Sequence, residues 1–388
     1  MRRSLWVWSF LVHAAADDQR FLRTVFVEYE DGTADGHFAF GRAVGSAMGP
    51  DIQAVWAADT QLHSMESWAL GTGRQIFDAF VAETNATFPL YMREVEGMAQ
   101  GAGIGLQRLL VNQLREELAQ WIDAQTRRGR EGHCTDGYVV DGETLALGHN
   151  DDWSINWRTS AYFIIATALD SRGKTKFKMG SWCYPGLLFG GQLNWNSHGV
   201  FWTVNSLFPK HFASNGVGTA WIARHMTEAT SVEDLVKRAT NKQVSTALNY
   251  NVGHLHDKQL WNLEVTTGGV YAIRQIRAPY VHTNQFKLLN VSQFPEPSSF
   301  HREARWRQLR PNSVTELRSF LSDHSDPEWP VWRNRTTKDD CFTSITGIFD
   351  LEMRTIAAWT SPSNASDPEF MLALDFPSSD IHERSMYV

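Results

Sequence analysis

The residues best suited to chemistry in this chain cluster between Gly132 and Trp153. Cys134 opens the stretch and His149, Asn150, Asp151 and Asp152 close it, so a thiol nucleophile, a carboxamide donor and two carboxylates share one short segment. Between them, Tyr138–Val140 and Thr144–Leu147 read as two strands, and Asp141-Gly142 is the pair that a tight two-residue turn favours. A hairpin folded there returns the end of its second strand to the start of its first, which brings the four polar residues close to Cys134. A cysteine ahead of a strand is, by itself, more often structural than catalytic. A cut directly before it changes the chemistry. A chain beginning at Cys134 carries an α-amino group of pKa about 7.7–8 beside a thiol of about 8.5, so the nucleophile brings its own general base. The sulfur would take an acyl group as a thioester, amide donors would hold the oxyanion, and water or an amine would release the acyl group. Directly upstream, Arg127-Arg128-Gly129-Arg130-Glu131-Gly132 is polar, basic and glycine-containing, and reads as an exposed linker.

The rest of the chain must position this hairpin. Leu22–Tyr29 alternates as a strand, and Gly36, Gly41 and Gly45 follow at a spacing that suggests a helix packed closely against another element. From Ala57 to Leu118 the pattern is helical, with Ile76, Phe77, Phe80 and Val81 on one run and Tyr91, Val95, Met98 and Ala99 on the next, and Phe88-Pro89 restarting the chain between them. A third helix is expected from Leu106 to roughly Gln125. After the hairpin the chain becomes strand-rich, with strands expected at 161–169, 174–179, 190–195, 200–206, 248–252, 260–266 and 270–276. Helices are expected at 219–229 and after the capping pairs Ser231-x-x-Asp234 and Ser313-x-x-Glu316. A final hairpin joins 344–349 to 355–359. A helical first third followed by sheets with segregated helices is the pattern of an α+β protein.

Composition narrows the function classes. A net charge of −7 and a pI near 6.1 give no basic footprint for nucleic acid, and the 16 tryptophans read as core and pocket lining. Arg2-Arg3, an apolar run from Leu5 to Val12 and Ala14-Ala15-Ala16 follow the order of a secretory signal over residues 1–16, with an apolar run too short to span a bilayer. Sequons at Asn85, Asn290, Asn334 and Asn364 fit a secretory or extracellular destination, with a cytoplasmic one as the alternative. Secretion would allow Cys183 to pair with Cys341 and leave Cys134 as a thiol; in the cytosol both would be small buried apolar residues.

Over roughly residues 27–360 the chain resembles the acyl-coenzyme A:6-aminopenicillanic-acid acyltransferase family. The matching pieces, in order, are Gly32-Thr33 with Gly41; Tyr91 through Gly97, Gly101 and Gly103; Asn112 through Arg115 and Leu118; Cys134-Thr135; Asn150-x-Asp152; Asn196-x-x-Gly199; Asn251 with Asp257 and Leu263-Glu264; His282-Thr283-Asn284; and Ser299-x-x-Arg302-x-x-Arg305. The resemblance implies an N-terminal-nucleophile hydrolase fold, an αββα four-layer sandwich with an N-terminal helical segment. It implies a precursor cut between His133 and Cys134 into a helical chain, 17–133, and a nucleophile-bearing chain, 134–388, which stay associated as one folded unit. Cys134 then matches the nucleophile and Asp152 the carboxylate that supports its amine, with Asn150 and Thr135 as supporting residues. Asn251 matches the oxyanion donor, with Asn249 as the alternative, and Arg302 matches the family's functional arginine, orienting Asp152 or a substrate carboxylate. The implied activity is hydrolysis or transfer at the amide bond of an N-acyl or N-(β-alanyl) small amine, or from an acyl thioester, with no cofactor and no metal.

Other candidates read as structural. His149, His282, and the pair His254 and His256 lack the companions of a metal motif, Asp151 should point away from Asp152 on a strand, and Arg115 reads as an ion-pair partner. One departure stands out: the family places glycine directly before the cysteine, whereas here the residue is His133, with Gly132 one further back. A second reading follows from it, an unprocessed, catalytically silent secreted glycoprotein that keeps the fold as a binding scaffold.

Overall fold

The computed structural model describes residues 22–126, 134–240, 243–336, 338 and 340–374. The signal read at 1–16 and the linker 127–133, including His133, lie outside the described residues.

The chain begins with β1 (Thr24–Glu30), whose alternate residues Val25, Val27 and Tyr29 are buried. Helix α1 (Ala34–Ala58) follows, its first turn capped by the Thr33 hydroxyl, which accepts the Gly36 N–H. Helices α2 (Thr60–Leu70), α3 (Arg74–Thr87), α4 (Pro89–Ala102), α5 (Leu106–Gln113) and α6 (Arg115–Thr126) complete the first third. Helix α1 thus covers the glycine spacing that suggests a close-packed helix and continues unbroken to Ala58, so the helical region starts well before the apolar pattern expected from residue 57. Four glycines weaken the helical signal of α1, yet they are what lets it meet α4. A Cβ at Gly41 would overlap the carbonyl oxygen of Glu94, and one at Gly97 would overlap that of Phe38, so the two backbones touch where side chains ordinarily stand. The expected third helix is two, broken at Leu114.

The second part begins with the hairpin β2 (Cys134–Asp141) and β3 (Thr144–Trp153), then the short α7 (Ile155–Arg158). Asp141 pairs with Thr144, so the turn residues are Gly142 and Glu143 rather than Asp141-Gly142, and Gly142 takes φ +58°. Next come β4 (Tyr162–Leu169), β5 (Thr175–Cys183), β6 (Leu193–Asn196), β7 (Val200–Leu207), α8 (Thr219–Met226), α9 (Val232–Thr240), β8 (Ala247–His254), β9 (Gln259–Thr266) and β10 (Val270–Gln275). The chain closes with β11 (Tyr280–His282), α10 (Pro297–Leu309), α11 (Val314–Leu321), β12 (Phe342–Asp350), β13 (Thr355–Trp359) and β14 (Phe370–Ala373). The α+β class expected from the sequence is what forms.

Two sheets result, one in the order β1-β4-β5-β6-β7-β8-β9-β10 and one in the order β11-β2-β3-β12-β13-β14. Their inner faces meet through aromatic stacks, Phe201 on Phe349 at 4.3 Å and Phe163 on Phe370 at 4.0 Å between ring centroids. Helices α10 and α11 cover the other face of the six-stranded sheet, burying Trp306, Leu317, Phe320 and Leu321 against Val139, Ala146 and Ile348. Burial of these large side chains, worth about 1.5–3 kcal/mol each, fixes which face of β2 and β3 is inner and which is outer. Among the described residues no helix is long and apolar enough to cross a membrane. The four sequon asparagines, Asn85, Asn290, Asn334 and Asn364, are exposed.

The Cys183–Cys341 pairing entertained for a secreted chain does not form. Both are buried thiols on different sheets, Cys183 closing β5 and Cys341 just ahead of β12.

The first third is tied to the sheets by α6. Glu117 accepts the N–H of Thr219 at 2.8 Å and lies 3.4 Å from the Ser245 hydroxyl. Burial raises its carboxyl to about 7, against the opposing bond from Thr219. The folded state therefore holds a proton that the unfolded chain gives up, and stability falls as pH rises from an ordinary carboxylate value to 7. Glu117→Gln is expected to stabilise the protein by about 1–3 kcal/mol at pH 8 and to leave it unchanged at pH 4, read as the difference in melting temperature at the two pH values. Gly41→Val should cost about 1–3 kcal/mol or more by prising α1 from α4, whereas Gly105→Ala, which meets nothing within 4 Å, should be close to neutral in the same denaturant melts.

Candidate active site

Cys134 is the first residue of β2, and the pleat sends Cys134, Asp136 and Tyr138 to the inner face between the sheets. Register pairs Cys134 with Asp151, Thr135 with Asn150 and Asp136 with His149. The same-face neighbours of the thiol are therefore Asp151 and His149. Asp151 Oδ1 lies 3.7 Å from Cys134 Sγ, and its other oxygen accepts the Tyr184 hydroxyl at 2.7 Å. The Nδ1 of His149 is 3.0 Å from both oxygens of Asp136, while its Nε2 has no partner among the described residues. Asp136 also accepts from Thr203 and, at 2.6 Å, from Asn205 of the opposite sheet. All of these groups are buried, with Cys134 at 7% the most accessible of the thiol, His149 and Asp151.

Asp152 sits one residue on, and its carboxylate is held from elsewhere. The Thr343 hydroxyl donates to it at 2.7 Å and Arg333 Nε stands 3.1 Å away as its ion-pair partner. Its backbone amide lies against the Cys134 sulfur. A cation beside Asp152 is thus Arg333, a residue sequence reasoning passed over because it belongs to none of the matching pieces. Asn150 is used structurally: its amide donates to the carbonyls of Leu321 and Val331, and its oxygen accepts from Thr346.

Arg302, in the middle of α10, pins the start of β2. It is fully buried, and Nη1 donates to the Cys134 carbonyl at 2.6 Å and to the Thr135 hydroxyl at 2.8 Å. Nη2 donates to Asn284 Oδ1 at 2.9 Å and pairs with Glu296 at 3.3 Å. Asn284 in turn accepts the backbone N–H of Cys134 at 3.3 Å and donates to the Ser206 carbonyl at 2.9 Å. The short strand β11 sets this up, because His282 is opposite Asp136 and two residues further on Asn284 comes level with Cys134. Glu264 holds the loop behind it by accepting the N–H groups of Lys287, Leu288 and Leu289 and a bond from His282. Those bonds bring its carboxyl below the ordinary value although burial alone would raise it. His282 is satisfied on both nitrogens, and His254 pairs with Asp257, as structural histidines do.

Across the gap, the eight-stranded sheet presents a ladder of carboxamides. Asn251 donates to Thr203 Oγ1 and Asn205 Oδ1 and accepts from Tyr138, Asn249 and Asn262. Asn249 donates to Asn205 and accepts from Asn262. The contacts of β2 step along this ladder, from Asn251 at Tyr138, through Thr203 and Asn205 at Asp136, to Ser206 at the Asn284 that holds Cys134. Asn249, register partner of Asn205, therefore lies toward the thiol, and Asn251 lies toward Tyr138.

The electrostatics of the pocket are those of a silenced thiol. Burial first, and then the charges of Asp151, Asp152 and Asp136, push the Cys134 thiol well above its ordinary value. Burial raises the Asp151 carboxyl too. His149 is raised in spite of burial, because Asp136 favours its charged form. Arg115, at the head of α6, lies 4.7 Å over each of Trp153 and Trp157 and 3.9 Å from Asp59, joining the helical third to the far end of β3. The inner-face set of Asp136, His149 and Tyr184 was open to inference from hairpin register for the first two, and Tyr184 carried no signal.

Comparison with known proteins adds two findings. The chain is 25% identical over 377 residues to the beta-alanyl-dopamine/carcinine hydrolase of Drosophila melanogaster, covering 91% of this chain and 97% of that protein. Residues 139–364, more than half of the 388, match the family model described as acyl-coenzyme A:6-aminopenicillanic acid acyl-transferase. On that match, which runs from Val139 near the end of β2 to the segment after β13 and encloses the carboxamide ladder, Asn284 and Arg302, the chain belongs to the acyl-coenzyme A:6-aminopenicillanic acid acyl-transferase family of acyl-transferring enzymes.

Proposed function

We propose that the protein is a self-processed cysteine hydrolase or acyltransferase that acts on the amide bond of an N-acyl small amine, β-alanyl amines foremost. The observation that carries this reading is the mounting of Cys134. Its carbonyl is clamped by Arg302 and its nitrogen by Asn284, so both backbone groups of a single residue are fixed by buried side chains. Ordinary strand residues need no such fixing, whereas a residue whose nitrogen must serve as base to its own sulfur does. The substrate class rests on the hydrolase relative, and N-acyl amines other than β-alanyl ones are the test set around it.

On this reading the bond between His133 and Cys134 is cut, and the α-amine takes the thiol proton as sulfur attacks the acyl carbonyl. The C–N bond then breaks, the amine leaves with a proton, and water or a second amine opens the thioester. An ammonium at Cys134 also supplies the positive charge that offsets Asp136, Asp151 and Asp152. The oxyanion donor is a carboxamide of β8, and the N–H it turns to the oxyanion is the one donated in the structure to Asn205. Asn249 is favoured over Asn251 by its position toward the thiol, and Asn251 then acts by orienting it, through the 3.0 Å bond between them. Arg302 is a positioning residue, and Asp152, anchored by Arg333 and Thr343, supports the amine end of Cys134. On this reading the two facing sheets and the helices outside them are the layers of an αββα sandwich, and the helical chain stays bound after the cut, a view supported by the apolar core that α1 to α6 share with the strands. Exposure of all four sequons supports a secretory route.

Intact-mass spectrometry of the purified protein should give two fragments, the larger beginning at Cys134, and a single uncut chain for Cys134→Ala. An uncut wild type would sink the processed-enzyme reading and leave the silent scaffold. For the processed enzyme, Asn249→Ala is expected to lower kcat on a β-alanyl amine by about 10²–10³, with a smaller loss for Asn251→Ala, and the reverse order would move the oxyanion donor to Asn251.

A further inference from the structure

We infer that the pocket at the head of β2 is a metal site, in which Cys134 Sγ, His149 Nε2 and Asp151 Oδ1 take a single Zn²⁺-class divalent cation that blocks the thiol. Three side chains from two paired strands supply the donors, and the sulfur, an imidazole nitrogen and a carboxylate oxygen lie within 4.8 Å of one another; Nε2 is the nitrogen left for a cation because Asp136 holds Nδ1. A tetrahedral ion with metal–sulfur and metal–oxygen distances of about 2.3 and 2.0–2.2 Å needs its sulfur and oxygen ligands about 3.5 Å apart. Cys134 Sγ and Asp151 Oδ1 are 3.7 Å apart.

His149 is the independent observation. It is fully buried and its Nε2 is without a partner among the described residues, a costly state for a polar atom unless something is meant to occupy it. Its other nitrogen is held by Asp136 in the carboxylate–histidine arrangement that orients metal-bound imidazoles. Asp151 has matching support, since Tyr184 donates to the oxygen that faces away from the sulfur. Two of the three ligands are thus already fixed by groups behind them, and the thiol is fixed through its backbone by Arg302 and Asn284.

The donor set of one sulfur, one imidazole and one carboxylate selects Zn²⁺ or Co²⁺ over Mg²⁺ and Ca²⁺, which require oxygen ligands throughout. Binding exchanges the thiol proton for the metal, releasing H⁺ to solvent, and the added charge offsets the carboxylates around the sulfur. Water fills the fourth position in an uncut chain. Where the chain begins at Cys134, a point that rests on the processed-enzyme reading, the α-amine becomes the fourth ligand and closes a five-membered N,S chelate. The cation then holds both nucleophile and base, so it inhibits and is no cofactor.

The test is a titration of the chelator-treated full-length protein with Co²⁺, followed by its thiolate-to-cobalt charge-transfer absorption. One equivalent should produce the band, Zn²⁺ should displace it and excess Mg²⁺ should not. Asp136→Asn is expected to weaken binding about 10–100-fold and His149→Gln at least as much, while Cys183→Ser leaves it unchanged. No band in the wild type, a band that survives in Cys134→Ala, or full affinity in Asp136→Asn and Asp151→Asn would overturn the inference. The last two variants serve where His149→Gln does not fold. An uncut chain still binds through three side chains, so a band without cleavage defeats only the processed-enzyme reading, and cleavage without a band defeats only this one.

Discussion

The site depends on one buried cation, Arg302. Its five N–H donors are shared among the Cys134 carbonyl, the Thr135 hydroxyl, Asn284 and the Ser298 backbone and side chain, with Glu296 as its counter-charge. A guanidinium this deep would cost several kcal/mol if its partners were removed, so each partner is held in place by the others. The first residue of a strand is normally its most frayed position. Here a helix, a loop and a strand from three separate parts of the chain converge on it, and α10 can reach it only because α10 and α11 are seated on the outer face of β2 and β3. Packing energy on one face of the sheet is converted into positional precision at its edge.

The two faces of the hairpin carry different chemistry for the same reason. Alternation places Asp151 and His149 beside the thiol and sends Asp152 to Arg333 and Thr343. Adjacent aspartates thereby acquire separate tasks. Asp151 lies in a dry pocket where burial raises its carboxyl, whereas Asp152 has an arginine and a hydroxyl as fixed partners. A one-residue slip of register would exchange them, so the turn at Gly142 and the apolar outer face together decide which carboxylate meets the sulfur.

Much of this was legible in the sequence. Period-two runs placed nearly every strand from β4 to β10, the hairpin brought the His149 to Asp152 segment to Cys134, and the glycine spacing in α1 announced a close approach. The full length of α1 was not, because the glycines that permit its packing against α4 also weaken the helical signal. The turn was misread by one residue, since Asp141 is the last pairing residue and Gly142 alone needs φ above zero. Within the site, the motif residues were visible but their partners were not. Arg333 and Tyr184 act through tertiary contacts at separations of tens to more than a hundred residues, and no local pattern marks them; Asn284 stands in the matching piece His282-Thr283-Asn284, but its hold on Cys134, 150 residues away, is tertiary. His149 reads from the sequence as structural, and half of that holds: Nδ1 is satisfied by Asp136, whereas Nε2 has no partner among the described residues.

The same burial that organises the pocket also silences it. In a continuous chain the nitrogen of Cys134 is an amide that donates to Asn284, and the thiol faces the Asp151 carboxylate in a buried site that raises it well above its ordinary value. Attack by such a thiol requires its proton to leave into a field that opposes negative charge on sulfur. Cutting the preceding bond, on the proposed reading, replaces a neutral amide by an amine that can take a proton beside Asp136, Asp151 and Asp152, and the strand keeps its anchor, because Arg302 holds the carbonyl and not the bond that is cut. The pocket then gains a group that is a base when neutral and a counter-charge when protonated. A divalent cation supplies the counter-charge by another route but consumes the lone pair that the reaction needs, which is why the arrangement that readies a nucleophile is also one that a metal can close.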